Sequence, residues 1–226
     1  RAVSSKSGSA DVLEALGIKT DLSPEESIKQ LKEYNMSFLF AQQYHKAMKN
    51  VGKERKELGT RTIFNLIGPL ANPAPIRGQL MGIFDGDLVD KIGEVLVKLG
   101  IERGLVVHGE DGLDEITTTS STKVCEICNG KTKVYKINPE DFGIEKVSIE
   151  EISGGTPEEN AEIILSILKG EKGPKRDIVA LNAGAALFAG KKVDSINDGF
   201  ILANALIDSG KAYKKYQQLK ELVIWF

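Results

Sequence analysis

The densest chemistry in this chain lies in the run His108-Gly-Glu-Asp-Gly-Leu-Asp-Glu115, where Glu110, Asp111, Asp114 and Glu115 crowd four carboxylates into six residues. Such repulsion is tolerable around a cation. Mg²⁺ takes one or two carboxylates and fills its other positions with water and substrate phosphates. Seen alone, the run reads more simply as a solvated acidic turn. A second candidate is Arg1-Ala-Val-Ser-Ser-Lys-Ser-Gly-Ser9. Small hydroxyl residues entering a helix offer backbone N–H groups, hydroxyls and a positive dipole end to an anion, and Arg1 and Lys6 add charge. On composition an ordinary capped loop explains it equally well. In the stretch Met48 to Leu58, Arg55 could fork onto a carboxylate, although a charged helix face is usually just solvated. His45 lies upstream, and a lone histidine is more often a satisfied structural residue than a catalyst. The only cysteines, Cys125 and Cys128, have redox or zinc spacing. They sit in an alternating strand pattern, however, where residues i and i+3 point to opposite faces. Two incidental reduced thiols are expected.

These groups need a frame. Ser7 to Leu16 reads as a short helix with Ser9 as N-cap and Gly17 as its left-handed stop. Ser23-Pro-Glu-Glu26 is a capping box with Pro at N1, followed by Ile28, Leu31 and Tyr34 at helical spacing. A helical run from Gln42 to Leu58 stops at Gly59, and Thr62 to Ile67 is apolar. The stretch from Gly68 to Pro75 is expected to break any helix and to cross between subregions. Beyond it, Gln79 to Phe84 reads as a strand. Asp87 to Leu99 follows as a helix with Val89, Ile92, Val95, Leu96 and Leu99 inward, and Gly104 to His108 as a buried strand. Strand, helix and strand of this length make a βαβ unit with a parallel pair, and the acidic run leaves the end of its second strand, where α/β sheets place ligands. Asn129-Gly130 between Lys123–Cys128 and Lys131–Ile137 signals a hairpin. Thr156-Pro-Glu-Glu159 opens a helix carrying Ala161, Ile164, Leu165 and Leu168. Ile178 to Ala189, rich in Ala and Gly, is expected to pack closely on its neighbours, and residues 194–224 add one or two helices. The class is α/β: a mixed, mostly parallel sheet flanked by helices, with part of a small helical domain inserted.

Composition limits the function classes. The chain is 41% hydrophobic and 27% charged with a formal net charge of −2. That argues against an extended polyanion such as duplex nucleic acid and leaves room for a local anion pocket. No window reaches about 18 consecutive apolar residues, so no transmembrane helix is expected. The polar start lacks the apolar core of a signal peptide, and a cytoplasmic protein is expected. The chain begins at Arg1, in what reads as the middle of a loop, and further residues are expected upstream.

The run from Arg1 through Gly17 resembles, nearly word for word, the signature of anthranilate phosphoribosyltransferases. Three further stretches resemble that family in the same order: Thr62-Ile-Phe-Asn-Leu-Ile-Gly-Pro-Leu-Ala-Asn-Pro73, Val106-Val-His-Gly-Glu-Asp-Gly-Leu-Asp-Glu115 and Leu181-Asn-Ala-Gly-Ala-Ala-Leu187. The resemblance implies transfer of the 5-phosphoribosyl group from 5-phosphoribosyl-1-pyrophosphate to the amine of anthranilate, in tryptophan biosynthesis, with Mg²⁺ as cofactor. By it, Arg1, Ala2, Val3, Ser4, Ser5 and Ser9 contact the phosphates, Arg55 and His45 serve anthranilate, and Asp114 and Glu115 hold the metal. No general base is implied, because the aromatic amine is already neutral at pH 7. The family fold implies residues 1–22 as the start of an α/β domain, 23–67 as a helical-domain segment and 68–226 as the remainder. Pairing is usually as a homodimer through the helical domain. Two departures stand out. Lys46 replaces the proline that usually follows the histidine at His45, and the family's upstream glycine-rich and Lys-His-Gly-Asn segments are absent from these residues. The 226 residues alone are therefore expected to be inactive. The runner-up readings are a pyrimidine-nucleoside phosphorylase-like enzyme, and a non-catalytic fragment or partner completed by another chain.

Overall fold

The computed structural model describes residues 7–44 and 64–221, and the chain divides into two compact units. One unit, residues 74–153 and 170–209, carries the sheet. Strand β1 (Gly78–Gly82) runs parallel to β2 (Arg103–Gly109), Gly78 opposite Arg103 and Gly82 opposite Val107. The helix between them, Val89–Lys98, makes the crossover that a parallel pair demands. From β2 the chain turns back into β3 (Thr122–Cys128), which pairs antiparallel, and then into β4 (Lys131–Ile137). Asn129 and Gly130 take φ of 50° and 75°, the two positive values that a tight hairpin of this hand requires. The order is β1-β2-β3-β4. The sheet is mixed as expected. Among the described residues, however, its parallel part is the single crossover pair, because the chain reverses twice more, through the loop after Gly109 and through the Asn129-Gly130 hairpin, and makes the other two pairings antiparallel.

Both faces of β2 are covered. Leu105, Val106 and Val107 are at most 1% exposed, the continuous apolar run of a strand buried on both sides. Val106 and its partner Cys125 face the crossover helix, where Gly93 approaches so closely that a Cβ would lie 2.3 Å from the Cys125 sulfur. Within that helix Val89, Ile92 and Leu96 are buried as expected, whereas Leu99, just past its last turn, is 56% exposed. Leu105, Val107 and Val124 pack with Leu181, Ala185 and Phe188 of the helix Pro174–Ala189. This helix begins four residues before the Ala/Gly-rich stretch, because Pro174 supplies a pre-set first position. It crosses the helix Ile196–Asp208 backbone to backbone, and a Cβ on Gly199 would lie 2.2 Å from the Gly184 carbonyl oxygen. Buried Arg176 ties the two helices together through Asn204 and a 2.7 Å ion pair with Asp208.

The other unit is helical in its described residues, which are 7–44, 64–73, 154–169 and 210–221. The helix Ser9–Ala15 packs with Pro157–Leu168 and Lys211–Glu221 around Val12, Leu16, Ile18, Ala161 and Tyr216, and the Tyr216 hydroxyl donates to the Leu16 carbonyl at 3.0 Å. Both capping boxes form: Ser23 with Glu26, and Thr156 with Glu159. Two expectations change here, and one helix buries a face other than its apolar one. The cap of the first helix is Gly8, whose N–H donates to Asp11 at 3.1 Å, so Ser9 is the first helical residue. The helix Phe64–Leu70 runs through Gly68 and Pro69, because so near its end a proline costs only one backbone hydrogen bond. In Pro24–Tyr34 the apolar positions Ile28 and Leu31 are about half exposed, while Ser27 and Gln30 are buried, with Ser27 bonded to the Tyr44 hydroxyl at 3.0 Å.

Candidate active site

The acidic run forms the loop between β2 and β3. Two short bonds fold it: the Gly109 N–H to the Leu113 carbonyl, and the Gly112 N–H to the Gly109 carbonyl, both at 2.8 Å. The four carboxylates then divide by role. Asp111 turns into the loop and accepts from the Thr117 and Thr119 hydroxyls and from the Leu113 N–H. Desolvation raises the proton affinity of Asp111, but those hydrogen bonds outweigh it and hold the carboxyl below its usual range. Glu110 pairs with Lys136 of β4, which lowers its pKa in the same sense. Asp114 and Glu115 remain, adjacent and exposed, and among the described residues no basic side chain pairs with either.

Glu115 differs electrostatically from its neighbours. Its carboxyl is pushed up, first by desolvation against the packed protein beneath it and then by the Asp114 and Asp111 charges. Its side chain nevertheless stays open on the solvent side. Partial desolvation plus like charge describes a position that a bound cation relieves. Two adjacent open carboxylates are the donor set that Mg²⁺ accepts when phosphates and water complete its shell. No group of three or more acidic, histidine or cysteine side chains able to hold a metal occurs among the described residues. Two carboxylates alone would leave most of the coordination shell of a Mg²⁺ ion to water and other ligands.

Long-range contacts bracket this pair. The end of β1 lies directly beneath the loop: a Cβ on Gly82 would fall 1.5 Å from the Asp114 carbonyl oxygen, so only glycine admits the approach. On the other side, Asn182 accepts from the Ile116 N–H at 3.0 Å and donates to the Ile116 carbonyl at 2.7 Å. His108 bonds through Nδ1 to the Ile83 carbonyl at 2.8 Å, joining β2 to the segment after β1.

The other expected site residues are placed less fully. Ser9 is exposed at the start of the first helix in the other unit, next to Ser7, whose hydroxyl accepts from Asn160 at 2.7 Å. Arg1, Ala2, Val3, Ser4, Ser5, His45, Lys46 and Arg55 lie outside the described residues. The two cysteines separate as the strand pattern required, Cys125 buried and Cys128 exposed. Sequence reasoning assigned no role to Gly82 or Asn182. The available signal at Asn182 was a single amide in a run of Leu, Ala and Gly.

Comparisons with known proteins place the chain in a family. Residues 1–213 match the family described as "Glycosyl transferase family, a/b domain". A curated anthranilate phosphoribosyltransferase of Clostridium beijerinckii is 61% identical over 224 residues, 99% of this chain and 66% of that protein. One from Methanobrevibacter smithii is 54% identical, covering 98% of this chain and 66% of its own length. Among solved structures, the Thermus thermophilus anthranilate phosphoribosyltransferase superposes with a TM-score of 0.91 at 43% identity, covering 98% of this chain and 66% of that one. The Saccharomyces cerevisiae enzyme in complex with PRPP and Mg gives a TM-score of 0.88 at 26% identity, covering 97% of this chain and 63% of that one. The chain thus spans just under two thirds of the length of the curated relatives it matches.

Proposed function

The chain belongs to the glycosyl transferase family with this α/β domain, and on that premise we propose that its protein transfers a 5-phosphoribosyl group from 5-phosphoribosyl-1-pyrophosphate to anthranilate, in tryptophan biosynthesis. The observation that carries the reading is the pair Asp114 and Glu115, open and adjacent on a loop whose other two carboxylates are already engaged. It is supported by similarity to anthranilate phosphoribosyltransferases over nearly the whole chain.

In this reading Asp114 and Glu115 hold Mg²⁺. When bound, the metal supplies positive charge to the departing pyrophosphate oxygens. Arg1, Ala2, Val3, Ser4, Ser5 and Ser9 receive the phosphates, and Arg55 and His45 orient the carboxylate and ring of anthranilate. The bond from ribose C1 to the pyrophosphate oxygen breaks with its electron pair leaving on oxygen. The amine nitrogen then bonds to C1 and releases a proton to solvent. Because the amine attacks in its neutral form, positioning and electrostatics carry the rate, and no side chain is assigned as acid or base. In the family's division residues 1–22 and 68–226 count as α/β domain and 23–67 as a segment of the helical domain. That division differs from the two compact units, where of the described residues 7–22, 68–73, 154–169 and 210–221 fall outside the sheet-bearing one. Cytoplasmic location and homodimeric assembly complete the reading.

The test is formation of 5-phosphoribosyl-anthranilate by the full-length protein, followed by loss of anthranilate fluorescence. Activity that requires Mg²⁺ and falls at least about a hundredfold in Asp114→Ala is expected. Absence of product, or an Asp114→Ala variant equal to the parent, defeats the reading. Phosphorolysis of thymidine or uridine is the counter-assay, and no turnover is expected.

A further inference from the structure

We propose that Asn182 is a positioning residue for the metal site: its amide fixes the peptide that carries Glu115, and so sets the aim of the Asp114 and Glu115 carboxylates. The inference rests on the reading of those two residues as metal ligands.

The hydrogen bonds leave the Asn182 amide one orientation. Both Nδ2 hydrogens are used, one on the Ile116 carbonyl at 2.7 Å and one on the Ile178 carbonyl at 3.0 Å, while Oδ1 accepts from the Ile116 N–H at 3.0 Å. A flipped amide would set its oxygen against two carbonyl oxygens and lose all three bonds. The Ile116 N–H belongs to the peptide unit it shares with Glu115, so the clamp grips the plane from which Glu115 departs. One residue earlier, the Asp114 carbonyl rests on the bare backbone of Gly82. The dipeptide is therefore held at both ends.

The clamp is itself anchored. Leu181 and Ala185, on either side of Asn182 in its helix, are fully buried in the core that also takes Ile116, at 1% exposure. Its own helix does not require an amide there, since the surrounding residues are Leu, Ala and Gly. What the amide adds is a directed link, 66 residues away in sequence, to the end of a loop whose Asp111 is held by Thr117, Thr119 and the Leu113 N–H and whose Glu110 is held by Lys136. Partners that orient metal-binding groups typically carry about ten- to a hundredfold of metal affinity.

The experiment uses the full-length protein and its Asn182→Ala, Asn182→Asp and Asp114→Asn variants. Mn²⁺ binding is titrated by electron paramagnetic resonance with inorganic pyrophosphate present, alongside thermal unfolding. Asn182→Asp keeps the shape and one acceptor but faces two carbonyls with oxygen, so it carries the test if the alanine variant fails to fold. The expected result is Mn²⁺ binding weakened about tenfold or more in the folded Asn182 variants and lost in Asp114→Asn. A merely structural role would lower the melting temperature and leave the Mn²⁺ constant of the folded molecules unchanged. That outcome, with Asp114→Asn still losing the metal, overturns the role of Asn182 and leaves the site reading intact. Parental Mn²⁺ binding by Asp114→Asn overturns both.

Discussion

Replacing Gly82 by alanine puts the site's architecture under direct strain. The new Cβ would lie 1.5 Å from the Asp114 carbonyl oxygen and 2.5 Å from its carbon, where real Cβ contacts essentially never fall below 3.0 Å. One backbone must therefore move by about 1.5 Å. Gly82 lies opposite Val107, whose carbonyl accepts from the adjacent Ile83 N–H at 3.0 Å, and fully buried Leu105 and Val106 pin β2, so the loop is the part that yields. Overpacking of this kind costs about 1–3 kcal/mol. In a chain of this length that lowers the melting temperature by roughly 2–12 °C and leaves the protein folded at 25 °C. The functional cost is larger, because a displacement of about 1 Å in a reacting geometry can remove a hundredfold of rate. The assay is the Mg²⁺ dependence of phosphoribosyl transfer in Gly82→Ala, measured beside calorimetric unfolding. A raised Mg²⁺ requirement and a rate down by about a hundredfold, in a protein that still unfolds cooperatively, is the expected result. Wild-type metal dependence and rate would refute the reasoning, since they would mean that the Asp114 backbone does not need its present seat.

The helix crossing should be as intolerant: Gly199→Ala forces a Cβ to within 2.2 Å of the Gly184 carbonyl, and a loss of about 3 kcal/mol or more is expected in chemical denaturation. The two thiols should differ sharply. Burial pushes Cys125 up to about 11, so at pH 8 only about one molecule in a thousand carries that thiolate, and iodoacetamide followed by mass spectrometry should label Cys128 alone. Asp111 should matter at neutral pH and not in acid. Its folded pKa is depressed, so its contribution is present above the unfolded value of about 3.9 and lost as pH falls through the folded one. Asp111→Ala should therefore cost about 1 kcal/mol at pH 7, after allowance for solvent exposure, and the gap to the parent should close below about pH 4 in thermal unfolding scans.

Much of the fold was legible locally. The boxes at Ser23 and Thr156 and the Asn129-Gly130 hairpin involve partners no more than three residues apart, and each formed as read. The crossover helix was visible from its apolar spacing, which is a property of one helix face. Local reading failed at helix boundaries and at the choice of buried face. Ser9 lost the cap to Gly8, since either residue satisfies the local pattern. The helix ending at Leu70 accommodated Pro69, because a proline one residue from a helix end removes little. In Pro24–Tyr34 the regular spacing of Ile28 and Leu31 predicted a helix correctly, yet the buried face is that of Ser27 and Gln30.

The site shows the same division. Residue types alone marked the acidic turn, with a solvated turn as the simpler reading and a bound cation as the other, because like charge in a short loop is a local fact. Which two of the four remain open was settled by Thr117, Thr119 and Lys136, the last on a strand reached only through a hairpin. Their aim depends on Gly82 and Asn182, roughly 30 and 70 residues away along the chain and beside the loop only once the sheet and its covering helix have packed. A sequence encodes short-range hydrogen bonds and apolar periodicity directly, since both lie within a few residues. Steric fit and paired amides between distant segments exist only after the chain has folded.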